Sequence, residues 1–169
     1  RILAWDLYNE PTNGGLAFRS MPLLHKVVKW AREVEISQPV TIGVWSGDEE
    51  LRRFSIDNSD IVSFHCYSDA AYTREMCRQL KAENRPVICT EWMNRPTGST
   101  IASVLPVFAE EGVGCMLWGL VNGKTQTDLP WGHRPEHGEY TGPWQHDIFR
   151  GDFTPYDPSE IDLLKKYCK

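Results

Sequence analysis

Trp5-Asp6-Leu7-Tyr8-Asn9-Glu10-Pro11 is the stretch whose reading decides the fold. The apolar run before it, Arg1-Ile2-Leu3-Ala4, reads as a buried strand. Asn9-Glu10-Pro11 stops that strand, because Pro cannot continue a hydrogen-bonded ladder. The C-terminal ends of parallel strands are where α/β enzymes assemble their sites, so Glu10 is placed for chemistry. A second acid at a strand end, Glu91, would make a pair. Each acid alone also reads as a helix cap or as an ion partner of Arg95.

Working outward, four more strands alternate with helices. Residues 1–8 form the first strand, and Asn13-Gly14-Gly15 is turn chemistry. Leu23, Leu24, Val27, Val28, Ala31 and Val34 recur at helical spacing over 22–36. Residues 39–45 form a second strand, and Ser46-Gly47-Asp48 opens a short helix over 49–54. The third strand spans 61–67, a helix covers 70–84, and the fourth strand, 86–90, ends in Glu91-Trp92. Ser99 or Thr100 caps a helix through Glu111, with Gly112 as its stop, and Pro106 either kinks it or sits near its first turns. Residues 113–120 are the fifth strand, and Asp157-Pro158-Ser159-Glu160 opens a closing helix with a capping-box pattern.

Near-continuous apolar strands alternating with helices predict a parallel sheet covered by helices. The strands begin near residues 2, 40, 61, 86 and 113. That spacing suits barrel units of about 30 residues each, and five units are too few to close an eight-stranded barrel. Two architectures meet the pattern. One is an open doubly wound sheet. The other is the C-terminal five β/α units of a (β/α)8 TIM barrel, a fragment lacking the first three, with residues 1–169 as one incomplete catalytic domain.

The chain has 169 residues, 41% hydrophobic and 24% charged, the profile of a globular protein. Its net charge of −5, without a Lys/Arg cluster, argues against a nucleic acid or an anionic membrane as partner. The longest apolar run, 113–121, is too short to cross a membrane. Because the chain opens without Met directly in an apolar strand, an upstream portion is expected. Five cysteines without CxxC spacing read as small hydrophobes rather than a disulfide framework or a zinc site.

Four motifs carry a resemblance: Trp5 to Pro11, then His65-Cys66-Tyr67, then Thr90-Glu91-Trp92, then Leu117-Trp118-Gly119. In this order they resemble strands four, six, seven and eight of the clan A glycoside hydrolases. These are retaining (β/α)8-barrel enzymes of the cellulase-like family 5 and family 2 type. The resemblance covers nearly the whole chain and implies a retaining β-glycosidase acting on a poly- or oligosaccharide. Glu10 matches the acid/base, Asn9 the residue that binds the sugar 2-hydroxyl, and Glu91 the nucleophile. Tyr67 would donate a hydrogen bond to Glu91, His65 would line the floor, and Trp118 would form a sugar platform. His65 also reads as a core histidine and Trp118 as plain core. The resemblance further implies that the N-terminal half of the barrel is the missing partner, and it favours an exported or periplasmic location.

Residues 122–152 form a long loop with little periodicity, carrying Trp131, His133, His137, Trp144, His146 and Asp147. Trp131 and Trp144 are candidate sugar-stacking residues, or else pins that hold the loop to the barrel. His133 and His137 stand at i, i+4, but no third ligand or predicted helix supports a metal, and no cofactor is expected. Two rival readings follow from the same residues. One is a non-catalytic carbohydrate-binding barrel. The other is a doubly wound nucleotide-binding domain, which wants a Gly-rich loop that Asn13-Gly14-Gly15 does not supply.

Overall fold

A computed structural model describes residues 2–11, 13–45 and 48–167. Cys168 and the Ser46-Gly47 part of the expected helix start fall outside the described residues. The chain divides into two compact units: Arg1–His65 with Gln79–Thr90, and Cys66–Arg78 with Glu91–Lys169.

In the first unit, β1 (Trp5–Asp6) pairs in parallel with β2 (Val40–Thr41), Trp5 opposite Val40. Single hydrogen bonds carry the pairing further: Leu7 N–H donates to the Thr41 carbonyl at 2.8 Å and Gly43 N–H to Tyr8 at 3.1 Å. Val44 then bridges Phe64 in parallel, at the edge of β3 (Val62–Cys66). The next neighbour of β3 is β4 (Val87–Trp92). Strand neighbours therefore follow chain order. A doubly wound sheet reverses that order at its switch point, so the succession is the one a barrel needs.

Helix α1 (Met21–Glu33) buries Leu24, and α2 (Glu49–Asp57) buries Leu51, both against Ile42 beside β2. Asp48 caps α2, its carboxylate accepting from the amides of Glu50 (2.9 Å) and Leu51 (3.2 Å), and the helix runs three residues past the expected 54. Arg53 forks onto Glu83 at 2.9 and 3.0 Å. Helix α3 (Ala70–Lys81) ends before the predicted Asn84, which takes a positive φ of 55°. The expectation of a fully buried first strand fails: Ile2, Leu3 and Trp5 are exposed. β1 has β2 as its neighbour in a two-stranded sheet, so its outer edge and side chains meet solvent.

In the second unit, Thr100 caps α4 (Ile101–Glu111) in a reciprocal box with Ser103, and Gly112 closes the helix at φ 66°. The helix runs through Pro106. Ala102, whose carbonyl loses its partner there, sits on the exposed side where water can serve it. Phe108 on the buried side meets Trp92 edge-on at 5.2 Å. β5 (Gly114–Leu117) follows, and Trp118 N–H donates to the Trp92 carbonyl at 3.2 Å. β5 was expected to be buried as well, yet Met116, Trp118 and Leu120 are exposed.

Helix α5 (Pro158–Tyr167) packs on α4. The predicted capping box forms by half: Asp157 accepts from Ser159 N–H at 2.8 Å, whereas Glu160 is drawn to Arg95 instead. Cys66, Cys77 and Cys89 are buried thiols, and burial pushes the Cys66 thiol up. Among the described residues, no helix is long and apolar enough to cross a membrane.

Candidate active site: two carboxylate settings

In the first unit, Glu10 stands four residues past the end of β1 rather than on it, and its backbone takes a positive φ of 39°. Holding a non-glycine residue there costs on the order of 1–3 kcal/mol, a strain that clusters at functional positions. The carboxylate is buried. Its Oε1 lies 2.6 Å from His65 Nδ1, and Asn13 Nδ2 donates to Oε2. His65 is the fourth residue of β3 and is itself buried, with Trp45 edge-on to its ring at 6.0 Å. Gly43 backs this pair: a Cβ there would sit 3.6 Å from both the Glu10 amide and His65 Nε2, in ordinary van der Waals contact. Asn9 is exposed beside Glu10. Asn13, read from sequence as turn chemistry alone, is a direct partner of the acid.

In the second unit, Glu91 is the fifth residue of β4, inside the strand rather than beyond it. Tyr67 donates its hydroxyl proton to Glu91 Oε2 at 2.7 Å. The alternative pairing of Glu91 with Arg95 is not what forms. Arg95 forks onto Glu160 at 2.6 and 2.8 Å and donates to the carbonyls of Trp144 and Asp147, both at 3.0 Å.

The loop 122–152 is drawn onto this setting. Trp131 meets Tyr67 edge-on at 4.8 Å, and His146 lies 5.2 Å from Trp131 and 5.4 Å from Tyr67. His146 Nδ1 is 2.5 Å from the Met93 carbonyl, which can only accept, so Nδ1 carries the proton. Nε2 is then the acceptor for the Gln145 amide at 2.7 Å, and Gln145 Oε1 accepts from Trp131 N–H at 2.7 Å. Burial holds the His146 pKa below the usual imidazole value, with the Arg95 charge acting in the same sense.

Trp118 is exposed and borders a cavity of about 270 Å³ shared with Thr127 and Asp147. Asp147 is fully buried. Thr127 donates to its Oδ1 at 2.8 Å, Oδ2 is without a partner among the described residues, and burial pushes its carboxyl up. Gly119 lies at φ 85° under this turn, where a Cβ would come within 2.7 Å of His146 Cβ and 2.9 Å of Asp147 Oδ1. Trp144 stacks on Tyr156 at 4.8 Å with Arg150 5.1 Å from its ring centre, so its ring is engaged by the protein. His133 and His137 approach to 5.7 Å, and no third metal-ligating side chain joins them among the described residues. His146 and Asp147 were noted in this loop from sequence without a role, and Gln145 was not noted, because no spacing in the sequence marks its bonds to His146 and Trp131.

No family model and no curated protein matches this sequence. Solved structures do. The chain is similar to the β-glucuronidase of Ruminococcus gnavus, with a TM-score of 0.61 at 16% identity over 98% of this chain and 32% of that one. It is similar to the endo-β-1,4-mannanase of Thermotoga petrophila, with a TM-score of 0.61 at 17% identity over 98% of this chain and 43% of that one. An agarase, AgWH50C, matches with a TM-score of 0.52 at 14% identity over 89% of this chain and 25% of that one. The chain thus spans less than half the length of each neighbour. At such identities the likeness is one of fold, and that fold is glycoside hydrolase-like, consistent with part of a barrel.

Proposed function

We propose that this chain contributes the two carboxylates of a retaining glycoside hydrolase that cleaves β-glycosidic bonds in a poly- or oligosaccharide. Glu91 is the nucleophile: its carboxylate oxygen bonds to the anomeric carbon as the glycosidic C–O bond breaks. Glu10 is the acid/base: it gives its proton to the leaving oxygen, then takes one from the water that displaces Glu91. Asn9 binds the sugar 2-hydroxyl, His65 lines the floor beside Glu10, and Trp118 and Trp131 offer sugar platforms. Trp144 supports the loop that carries Trp131. The upstream half of the barrel is the missing partner.

The observation that supports this reading most is the contrast between the two acids. Glu91 accepts a hydrogen bond from the Tyr67 hydroxyl, which orients a carboxylate for attack. Glu10 is instead buried, its carboxylate within hydrogen-bond distance of His65. A non-catalytic carbohydrate-binding barrel would use the same exposed tryptophans, but it has no need of Tyr67 on Glu91.

The test is covalent trapping with a panel of 2-deoxy-2-fluoro β-glycosides bearing good leaving groups, followed by peptide mapping. Adduct is expected on the peptide that holds Glu91. Glu91→Ala is expected to lose about 10⁴-fold or more in kcat with its fold intact. A variant that keeps full turnover would overturn the assignment.

A further inference from the structure

The loop that brings Trp131 to Tyr67 also encloses a cavity of about 220 Å³ within the second unit. That is below the about 300–1,000 Å³ of pockets for drug-sized ligands, so it holds about one ring. Pro130 and Trp131 give it an apolar wall, Thr125 and Thr127 a hydroxyl rim, and His133 and His146 the remaining sides. The hydroxyls of Thr125 and Thr127 stand 3.4 Å apart. No Lys, Arg, Asp or Glu is among the described residues that line it.

Two features set these walls before any ligand arrives. Both ring nitrogens of His146 are engaged, Nδ1 by the Met93 carbonyl and Nε2 by Gln145, so the imidazole is neutral and its plane is held. Gln145 in turn ties the Trp131 backbone, while 59% of Trp131 stays exposed. A large aromatic held in place by buried polar groups yet open to solvent is the arrangement of a stacking platform. A pyranose ring matches it: its C–H face suits the indole and its hydroxyl edge suits threonine and histidine. A uronate would find no cation there.

We propose that this cavity is a subsite for one neutral pyranose ring, stacked on Trp131 and met at its edge by Thr125 and His133. The subsite adjoins Tyr67, the partner of Glu91, so the inference deepens the glycosidase reading and rests on it for its place in catalysis. Gln145 is a positioning residue: it touches no sugar and acts through Trp131 and His146.

The experiment measures equilibrium binding to the full-length Glu91→Gln protein, which cannot turn over on the reading above. β-1,4-linked gluco- and manno-oligosaccharides of one to five units are titrated by calorimetry, beside the same series ending in glucuronic acid. Trp131→Ala is expected to raise Kd about tenfold or more, and Trp131→Phe less, since a ring remains. Gln145→Ala is expected to weaken binding and to release the His146 tautomer, read by ¹⁵N NMR of the imidazole. Unchanged affinity in Trp131→Ala, tighter binding of the uronate series, or no binding of any oligosaccharide would overturn the subsite. Glu91 trapping with a binding-silent cavity would sink this inference alone. Trp131-dependent binding without trapping would sink the catalytic reading and leave the subsite standing.

Discussion

His146 shows how one buried side chain couples protonation to stability. Its imidazole is fully buried, with Nδ1 held by the Met93 carbonyl and Nε2 accepting from the Gln145 amide, a bond that only the neutral ring can make. Burial is the main reason its folded pKa lies below the usual value. The sign follows: the unfolded chain takes up the proton first, so acid favours unfolding. The stabilisation is complete above about pH 6.5 and is lost as pH falls from there through the folded pKa. Urea midpoints of the wild type are expected to drop between about pH 7.5 and 5.5. His146→Gln should start lower, having lost the bond to Met93, and fall less over the same range. Equal slopes for both proteins would mean that another group is responsible. Glu10 and Gly119 carry the other residue-scale constraints, each a backbone held at positive φ beside candidate site groups.

Among the elements of the second unit, α5 and the loop 122–152 share one fastening. Arg95 and Glu160 form a two-pronged pair whose side chains are 6% and 10% exposed, and Arg95 also holds two loop carbonyls. Its guanidinium lies 4.5 Å over the Tyr156 ring, which is itself stacked on Trp144. Removing one member leaves the other charge buried and unmatched. Glu160→Ala is expected to cost about 3–5 kcal/mol by urea unfolding. Replacing both, as Arg95→Met with Glu160→Leu, should recover most of that. Limited proteolysis of Glu160→Ala is expected to cut within 122–152 sooner than in the wild type. An unchanged cleavage pattern would show that the loop is held by other contacts. This fastening was only half legible. Asp157-Pro158-Ser159-Glu160 announces a helix start from local chemistry, but Glu160 answers to a residue 65 positions away.

At the scale of the whole molecule, the exposed apolar groups matter most. Leu3 is 70% exposed, and Trp5, Phe18, Trp30 and Leu120 are open as well. β1 lies at the edge of a two-stranded sheet and β5 at the end of a three-stranded one. Unpaired edges with apolar neighbours invite association. The 169-residue chain alone is therefore expected to self-associate with rising concentration in sedimentation velocity; a monomer throughout would show these faces to be tolerated. The sequence by itself determined the alternation of strands and helices, because short apolar runs, the 3.6-residue period and the caps at Thr100, Gly112 and Asp157 are local properties. It also singled out Glu10 and Glu91, since acids after apolar runs stand out from their neighbours. Tertiary structure alone decided which strands are covered, because burial depends on neighbours that the apolar runs of β1 and β5 do not name. It alone decided that Asn13 meets Glu10, that Arg95 takes Glu160, and that Gln145 and His146 lock Trp131. Polar side chains on loops carry no periodic signal, and their partners are chosen by the fold that brings distant segments within hydrogen-bonding reach.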